Sequence, residues 1–200
     1  GEVSDLVVVD GKVYAVGYNF GGNASYWVDN EQFELEGTGN AEAYAIAVHD
    51  GDVYTAGRDN GAAYWKNTKK NKLSGGDSSG YGIAVKDNGN VFVGGYYMNN
   101  HHFVIPAYWK NGARTNLSRP SGGDGEVLDV EVSNGTMYYF DCVCTDRKAM
   151  ALCGNDIVYY KELQEANKKY NFHPTIFEGC FHCCDKQESF YPMGVTTSPT

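Results

Sequence analysis

The sequence has few of the features that indicate nucleic-acid binding or a membrane span. Its 200 residues carry a formal charge of −9, and the largest basic cluster is Lys69-Lys70 with Lys72, whereas a nucleic-acid partner requires a basic face. No apolar run approaches the roughly 18 residues that span a bilayer. We therefore expect neither nucleic-acid binding nor membrane insertion.

Leucine is also scarce, with seven in the chain, while glycine (25) and tyrosine (16) are frequent. Glycine-rich turns combined with aromatic and β-branched residues are typical of short strands rather than helices. The chain opens with Gly1-Glu2-Val3 and lacks a basic and then apolar leader there, so the compartment has to be argued from other features.

A repeat runs through most of the chain. Four apolar segments each end at a turn glycine that follows Asp or Asn, as in Asp10-Gly11, and such pairs suit a tight type I′ hairpin turn. The turn glycines are Gly11, Gly51, Gly89 and Gly135. Three copies have a further glycine six residues later: Gly17, Gly57 and Gly95. The fourth copy has Asp141 there.

Each repeat then continues with an aromatic pair and a polar turn. The pairs are Tyr26-Trp27, Tyr64-Trp65, Tyr108-Trp109 and, more loosely, Tyr159-Tyr160. A spacing of about 40 residues between turn glycines is the length of a four-stranded propeller blade. Such a sheet cannot bury its faces alone, so neighbouring sheets must stack. We expect the Tyr-Trp pairs to fill the gaps between blades.

The sequence therefore predicts an all-β fold, a β-propeller-like array of four-stranded blades with four recognisable repeats. The expected repeats cover residues 1–165, at about 4–42, 43–80, 81–126 and 127–165. Residues 166–200 form a divergent, Cys-rich segment that completes or extends the propeller as a fifth unit. An incomplete array would expose sheet edges and apolar faces, which favours self-association.

The motif Ala-x-Tyr-Trp-x-Asn-Gly, most regular within residues 43–73 and 82–117, resembles bacterial HAF-type extracellular repeat proteins and surface proteins with Tyr-Trp-Lys-Asn-Gly repeats. The resemblance covers residues 4–125 well and 126–163 loosely. It implies a β-propeller and a secreted or cell-surface location. It transfers no catalytic residue, because the shared positions are packing positions.

The C-terminal part contains all the cysteines: Cys142, Cys144, Cys153, Cys180, Cys183 and Cys184. In a secreted chain, an even number favours disulfides, whose pairing the sequence leaves open. Cys153 could lie opposite Cys142 or Cys144. The alternative is a metal site at Cys180, His182 and Cys183, for which a well-spaced second ligand pair is lacking. Residues 161–170 have helix-forming composition.

A long loop in the third repeat is the strongest candidate for ligand binding. It offers aromatic and hydrogen-bonding groups on a rigid scaffold: Tyr96, Tyr97, Asn99, Asn100 and His101. Asp77 and Asp124 recur after Gly-Gly in equivalent connectors and are further candidates, although turn formation also explains them. Three sequons mark glycosylation candidates at Asn23, Asn116 and Asn134.

These features favour a non-catalytic, extracellular or cell-surface module that binds a glycan or protein through rim loops. The alternative is a structural or assembly subunit. A carbohydrate-active enzyme on a propeller is a weaker alternative, because no Gly-x-Ser-x-Gly, His-Glu-x-x-His or phosphate-loop motif occurs and its acids would come from separate blades. The sequence implies no cofactor.

Overall fold

The computed structural model describes residues 1–18, 22–86, 88–117, 124–133, 136–143, 148–153 and 156–159. These residues form four antiparallel sheets of four strands each. The first sheet comprises β1 (Glu2–Val9), β2 (Lys12–Tyr18), β3 (Ala24–Val28) and β4 (Glu31–Glu34). The second comprises β5 (Glu42–His49), β6 (Asp52–Arg58), β7 (Ala62–Lys66) and β8 (Lys69–Lys72). The third comprises β9 (Ser78–Val85), β10 (Val91–Met98), β11 (Val104–Lys110) and β12 (Ala113–Asn116). The fourth comprises β13 (Gly125–Ser133), β14 (Thr136–Val143), β15 (Lys148–Cys153) and β16 (Asp156–Tyr159).

The sheets are arranged as propeller blades. Within each sheet the strands follow chain order and pair with their sequence neighbours, and the innermost strands β1, β5, β9 and β13 contact one another in succession. Burial, with a smaller contribution from the Asp5 carboxylate, raises the pKa of Asp129 to about 7, so these carboxyl groups of the first and last inner strands are within electrostatic range of each other. The predicted all-β, propeller-like fold is confirmed. No helix that could cross a bilayer occurs in the part of the chain that the structure describes.

The turn glycines adopt the positive φ angles that a tight hairpin needs. Asp10 and Gly11 have φ of 49° and 76°, and Asp50 and Gly51 have 50° and 79°, as a type I′ turn requires. The third hairpin differs, because β9 and β10 are joined through Lys86–Asn90 and the Gly89 amide donates to the Lys86 carbonyl at 2.7 Å. Gly89 has positive φ while Asn88 does not, so the predicted two-residue turn is wrong there. Asn134-Gly135 lies outside the described residues.

A β-bulge recurs at the same place in all four inner strands. The pairing register shifts at Ser4, Tyr44, Tyr81 and Leu128. Beside the first three bulges, the inner strand lies close to the second repeat glycine. A Cβ atom on Gly17, Gly57 or Gly95 would lie 1.9 Å from the carbonyl oxygen of Glu2, Glu42 or Ser79, respectively. The repeated glycine therefore reflects close backbone contact, since any side chain there would overlap the neighbouring strand.

The Asp or Asn that follows each tryptophan ties the outer hairpin to the second strand. The side-chain oxygens of Asp29, Asn67 and Asn111 accept hydrogen bonds from the amides of Val13, Val53 and Val91 at 3.0, 3.0 and 2.9 Å. The backbone amides of the same three residues donate to the carbonyls of the same valines. The Trp-x-Asn part of the repeat is thus a structural motif, and its polar residue is occupied within the sheet.

The core lies between successive sheets, and the predicted packing role of the tryptophans is confirmed for two of them. Trp65 and Trp109 are fully buried. We call the side of each of the first three sheets that carries this tryptophan its leading face, and in the fourth sheet the side that carries Val127 and Val130. The leading face of the second sheet packs against the first sheet, that of the third against the second, and that of the fourth against the third. Trp65 also donates to the Glu36 carbonyl at 2.7 Å.

The cysteine-rich end lies mostly outside the described residues, including Cys144, Cys180, Cys183, Cys184 and His182, as does the predicted helix at 161–170. Cys142 and Cys153 belong to β14 and β15. The strand register places Cys142 opposite Ala149 and Cys153 opposite Tyr138. Cys153 is therefore not paired with Cys142 in the strand register, and the other expected partner, Cys144, lies outside the described residues.

The close contact at Gly57 makes a testable prediction about stability. We expect Gly57→Ala to lower the free energy of unfolding by about 2–3 kcal/mol, because the added methyl group overlaps the Glu42 carbonyl oxygen. Gly51→Asn is the matched control: nothing lies within 4 Å of its Cβ position and asparagine tolerates positive φ, so its cost should stay within about 0.5 kcal/mol. Urea denaturation measures both. Equal effects of the two substitutions would contradict the close-contact explanation.

Candidate functional site

The predicted site residues separate into two groups. Tyr96 is buried at the end of β10, and its hydroxyl donates to the Asp77 carboxylate at 3.1 Å. The Asp124 carboxylate accepts a hydrogen bond from the Val104 amide at 2.9 Å and is close enough to Glu126 to affect its pKa. The structure therefore places Tyr96, Asp77 and Asp124 at one end of the third and fourth sheets.

Tyr97 points to the opposite face of the third sheet, as alternation along a strand requires. Its ring packs partly buried against the core between the second and third sheets. The Arg114 guanidinium lies 3.6 Å from the ring centroid, and Asn116 donates to the Tyr97 hydroxyl at 3.2 Å. Tyr97 is therefore a packing residue with polar contacts on the outer strand.

The tip of the third-repeat loop is organised by its own asparagine. The Asn99 side-chain oxygen accepts hydrogen bonds from the amides of His101 and Phe103 at 2.9 and 3.1 Å. Such local bonds close a turn. Asn100 and His101 are exposed. The Asn99 side-chain oxygen is thus occupied by the turn itself. Its two hydrogen bonds stay within the loop tip and do not connect the tip to Tyr96.

A series of tyrosine rings links the first, second and third sheets near the end where the inner strands begin. The Tyr18 and Tyr44 rings are 6.3 Å apart and nearly perpendicular, Tyr44 and Tyr81 are 5.5 Å apart, and Tyr81 and Tyr96 are 5.8 Å apart. These separations are favourable for aromatic pairs. Tyr18 and Tyr96 are buried while Tyr44 and Tyr81 are half-buried. We call Tyr18, Tyr44, Tyr81 and Tyr96 the axial tyrosine cluster.

The bulge is what directs two of these rings to the axis. Tyr44 and Tyr81 are the bulged residues of β5 and β9, and a bulge re-aims the side chain that it carries. The Tyr44 hydroxyl donates to the Glu42 carboxylate. Equivalent positions carry Ser4 in the first sheet and Leu128 in the fourth, so the two central sheets contribute the exposed aromatic surface.

Carboxyl groups surround the cluster at a second equivalent position. This position lies two residues before each bulge of the inner strand. From the first to the fourth sheet, the pairs that it forms with the second strand are Glu2 with Tyr18, Glu42 with Arg58, Ser79 with Tyr96 and Glu126 with Cys142. Asp77 and Asp124 precede the third and fourth inner strands. The arrangement combines aromatic faces with hydrogen-bond acceptors contributed by neighbouring sheets.

The electrostatics of the cluster favour neutral hydroxyls and a protonated Glu126. Burial, followed by the charges of Asp124 and Asp77, raises the pKa of Glu126 to about 7. Burial, then the charge of Asp77 and its hydrogen bond, raises the pKa of Tyr96 to about 12, and Arg58 acts in the opposite direction. The pKa values of Tyr44 and Tyr81 are raised as well, chiefly by burial and then by contact with Glu42 and the charge of Glu126, respectively.

Sequence reasoning missed Tyr44, Tyr81, Glu42, Arg58 and Glu126. A signal for Tyr44 existed, because it stands seven residues before its turn glycine, as Ser4 does in the first repeat. Tyr81 stands eight residues before Gly89, since the third hairpin loop is longer. The missing element was the bulge, which interrupts the strand alternation and cannot be located from periodicity.

The glycosylation candidates differ in their surroundings. Asn23 donates to the Glu34 carboxylate at 2.7 Å, and its side-chain oxygen accepts from the Gly39 amide at 2.8 Å. Asn116 is exposed and donates to Tyr97. Asn134 lies outside the described residues. In the described part of the chain, no three His, Cys, Asp or Glu side chains are grouped as a metal site would require.

No protein-family model and no curated protein matches the chain. Solved structures similar in fold include the computationally designed protein Ika4, at 15% identity and a TM-score of 0.47, with 80% of this chain and 91% of that chain covered. A glycoside hydrolase is 15% identical with a TM-score of 0.39, over 76% of this chain and 44% of its own length. A GH43 endo-arabinanase from Bacillus licheniformis is 14% identical with a TM-score of 0.36, over 78% and 73% of the two chains. These likenesses concern the fold alone.

The raised pKa of Glu126 predicts a pH dependence of stability. The folded chain holds this proton more tightly than the unfolded chain, whose glutamate pKa is about 4.3, so the stabilising contribution is complete at low pH and decreases as the pH rises towards 7. We expect the loss of unfolding free energy between pH 5 and pH 8 to be about 1–2 kcal/mol smaller in Glu126→Gln than in the wild type.

Urea denaturation at the two pH values measures this difference. The control is Glu31→Gln, which changes an exposed carboxyl group on β4 and should keep the wild-type dependence. The same pH profile for Glu126→Gln and the wild type would contradict the electrostatic description of the cluster.

Proposed function

We propose that the chain is a non-catalytic binding module that holds a glycan at the axial tyrosine cluster, in the secreted or cell-surface setting that the HAF-type resemblance implies. The observation that supports this most is the continuous series of four tyrosine rings, with carboxyl groups beside them, at one end of the inner strands. A glycan binds through the same two kinds of contact, because its C–H faces stack on aromatic rings and its hydroxyls donate to carboxylates.

The rigidity of the site supports a binding role. Tyr44 and Tyr96 are fixed by hydrogen bonds to Glu42 and Asp77, and Tyr81 lies between their rings. A preorganised aromatic surface loses little conformational freedom when a ligand arrives. The half-buried state of Tyr44 and Tyr81 leaves part of each ring accessible to the ligand.

Substitution of the central ring tests the proposal. We expect the wild type to bind members of a glycan array, and Tyr81→Ala to weaken the affinity for the best glycan on the order of tenfold, because it removes the middle stacking surface. Tyr64→Ala is the matched control: Tyr64 belongs to β7 and packs against the core between the second and third sheets. The glycan affinity of the Tyr64→Ala variant should remain at the wild-type value. Calorimetry measures the affinities, and circular dichroism checks that each variant is folded.

Two results would contradict the proposal. Absence of binding to every glycan of a broad array would remove the glycan as the ligand, and equal losses in Tyr81→Ala and Tyr64→Ala would move the site away from the cluster. Release of shortened products from the bound glycan, lost in Glu126→Gln, would instead establish a carbohydrate-active enzyme.

A second candidate function, assembly with a second copy of the chain, is favoured by the leading face of the first sheet. Val3, Leu6, Val8 and Val13 are 58%, 45%, 59% and 41% exposed, and Trp27 on the same side is half-buried. The corresponding residues of the second and third sheets are buried against the preceding sheet. They include Ala43, Ile46, Val53, Ile83 and Val91.

The leading face of the first sheet therefore resembles the leading faces of the second and third sheets, which a neighbouring sheet of the same repeat covers. Among the residues that the structure describes, the leading faces of the second, third and fourth sheets each lie against the preceding sheet. A second copy carries such sheets, and burial of exposed apolar area at about 25 cal/mol per Å² provides the driving force. We infer that the leading face of the first sheet associates with another copy.

Light scattering after size-exclusion chromatography tests this association. We expect the apparent mass of the wild type to increase with concentration, and the double substitution Leu6→Lys with Val8→Lys to abolish the increase, because it places charges on the apolar face. Phe103→Lys is the control, since Phe103 is similarly exposed, at 46%, but lies in the loop between β10 and β11. A wild-type mass that stays that of a monomer at every concentration would exclude assembly.

A further inference from the structure

Carboxyl groups dominate the charge around the axial tyrosine cluster. Three of the four sheets carry glutamate at the same register position, namely Glu2, Glu42 and Glu126, and Asp77 and Asp124 lie next to the inner strands that follow them. The guanidinium of Arg58, opposite Glu42, is the cation whose charge acts on Tyr44, Tyr81 and Tyr96. The balance of these named groups is strongly negative.

Two polar groups at the same end of the inner strands lack a partner. The hydroxyl oxygens of Ser4 and Ser79 are buried without a hydrogen bond. Ser79 occupies the register position of the glutamates and is 1% exposed, and Ser4 occupies the bulge position that carries tyrosine in the central sheets. Ser79 pairs with Tyr96 across the two strands, so its side chain lies on the same face of the third sheet as the Tyr96 ring.

From this juxtaposition of aromatic faces with glutamate and aspartate side chains, we propose that the ligand of the axial tyrosine cluster is a glycan with free, protonated amino groups. The inference depends on the proposed glycan-binding function and specifies its ligand class. Ammonium groups are attracted to aromatic faces and to carboxylates. A neutral glycan would use the rings but leave the carboxylates without a counter-charge.

Two further observations agree with a cationic ligand. The chain carries a formal charge of −9, so its long-range field attracts cations and repels anionic glycans such as polyuronates. Glu126 holds a proton near neutral pH because it is buried beside Asp124 and Asp77. A bound cation offsets the repulsion from Asp124 and Asp77 and so favours the ionised form of Glu126.

The comparison of two matched oligosaccharides tests the proposal. The probes are the glucosamine tetramer and its fully N-acetylated counterpart, which share one backbone and differ in charge. At about pH 6 and about 0.02 M salt, we expect the glucosamine tetramer to bind the full chain about tenfold more tightly, from several exposed ion pairs. Raising the salt to about 0.3 M should reduce the difference, because screening weakens ion pairs between exposed groups.

Variants show whether the named carboxyl groups are responsible. Asp77→Asn combined with Glu126→Gln should reduce the preference for the glucosamine tetramer over the N-acetylated tetramer by about fivefold or more, because it removes two carboxylates that attract the ammonium groups. Glu31→Gln is the control for net charge, because it removes an exposed carboxylate on β4 away from the cluster, and should keep the wild-type preference.

The outcomes separate this inference from the function on which it depends. Equal or tighter binding of the N-acetylated tetramer overturns the cationic ligand and leaves glycan binding in place. Binding of neither tetramer, together with no binding across a glycan array, overturns both. A preference for the glucosamine tetramer that persists unchanged in the double variant also overturns the inference, because the charge recognition then lies elsewhere.

Discussion

Most of this structure depends on the close approach of the two inner strands in the first three blades. Beside the bulge, only a hydrogen atom fits at Gly17, Gly57 and Gly95, where a Cβ atom would lie 1.9 Å from a carbonyl oxygen. The same bulge turns Tyr44 and Tyr81 out of the regular alternation and towards the axis. In the second and third blades, the bulge and the glycine contact thus lie side by side and together position the aromatic surface.

The fold could be predicted because its determinants are local and periodic. Asp-Gly turns, the Tyr-Trp pair and the asparagine that follows it recur at fixed spacing, and the structure gives each a physical role: positive φ at Gly11 and Gly51, burial at Trp65 and Trp109, and a bond to a valine amide at Asn67. The third hairpin escaped prediction for a similar reason. Its Asn88-Gly89 pair has the usual letters, but the loop contains one more residue, and a single insertion changes the turn type.

The site could be predicted only in part, since it is formed by tertiary contacts. Tyr96, Asp77 and Asp124 were identified from a loop and two connectors, and they lie together. Tyr97 is adjacent in sequence to Tyr96, yet strand alternation places it in the core. Asn99 has the chemistry of a ligand contact, but its oxygen closes its own turn. Glu126 acquires its unusual pKa from burial and from Asp124 and Asp77, which no single segment of sequence reveals.

The exposed leading face and the axial tyrosine cluster are separate surfaces and can act together. The leading face of the first sheet lies on the side of β1–β3 that carries Leu6 and Trp27, whereas the axial tyrosine cluster is formed at the strand ends of the first three sheets. Contact between copies through that face would leave Tyr44 and Tyr81 accessible, because both belong to inner strands of other sheets. Under the proposed function, each added copy would present a further cluster to the same glycan. Since linked sites bind a repeating ligand with an avidity that exceeds the single-site affinity, weak recognition at one cluster would suffice for firm attachment of such an assembly.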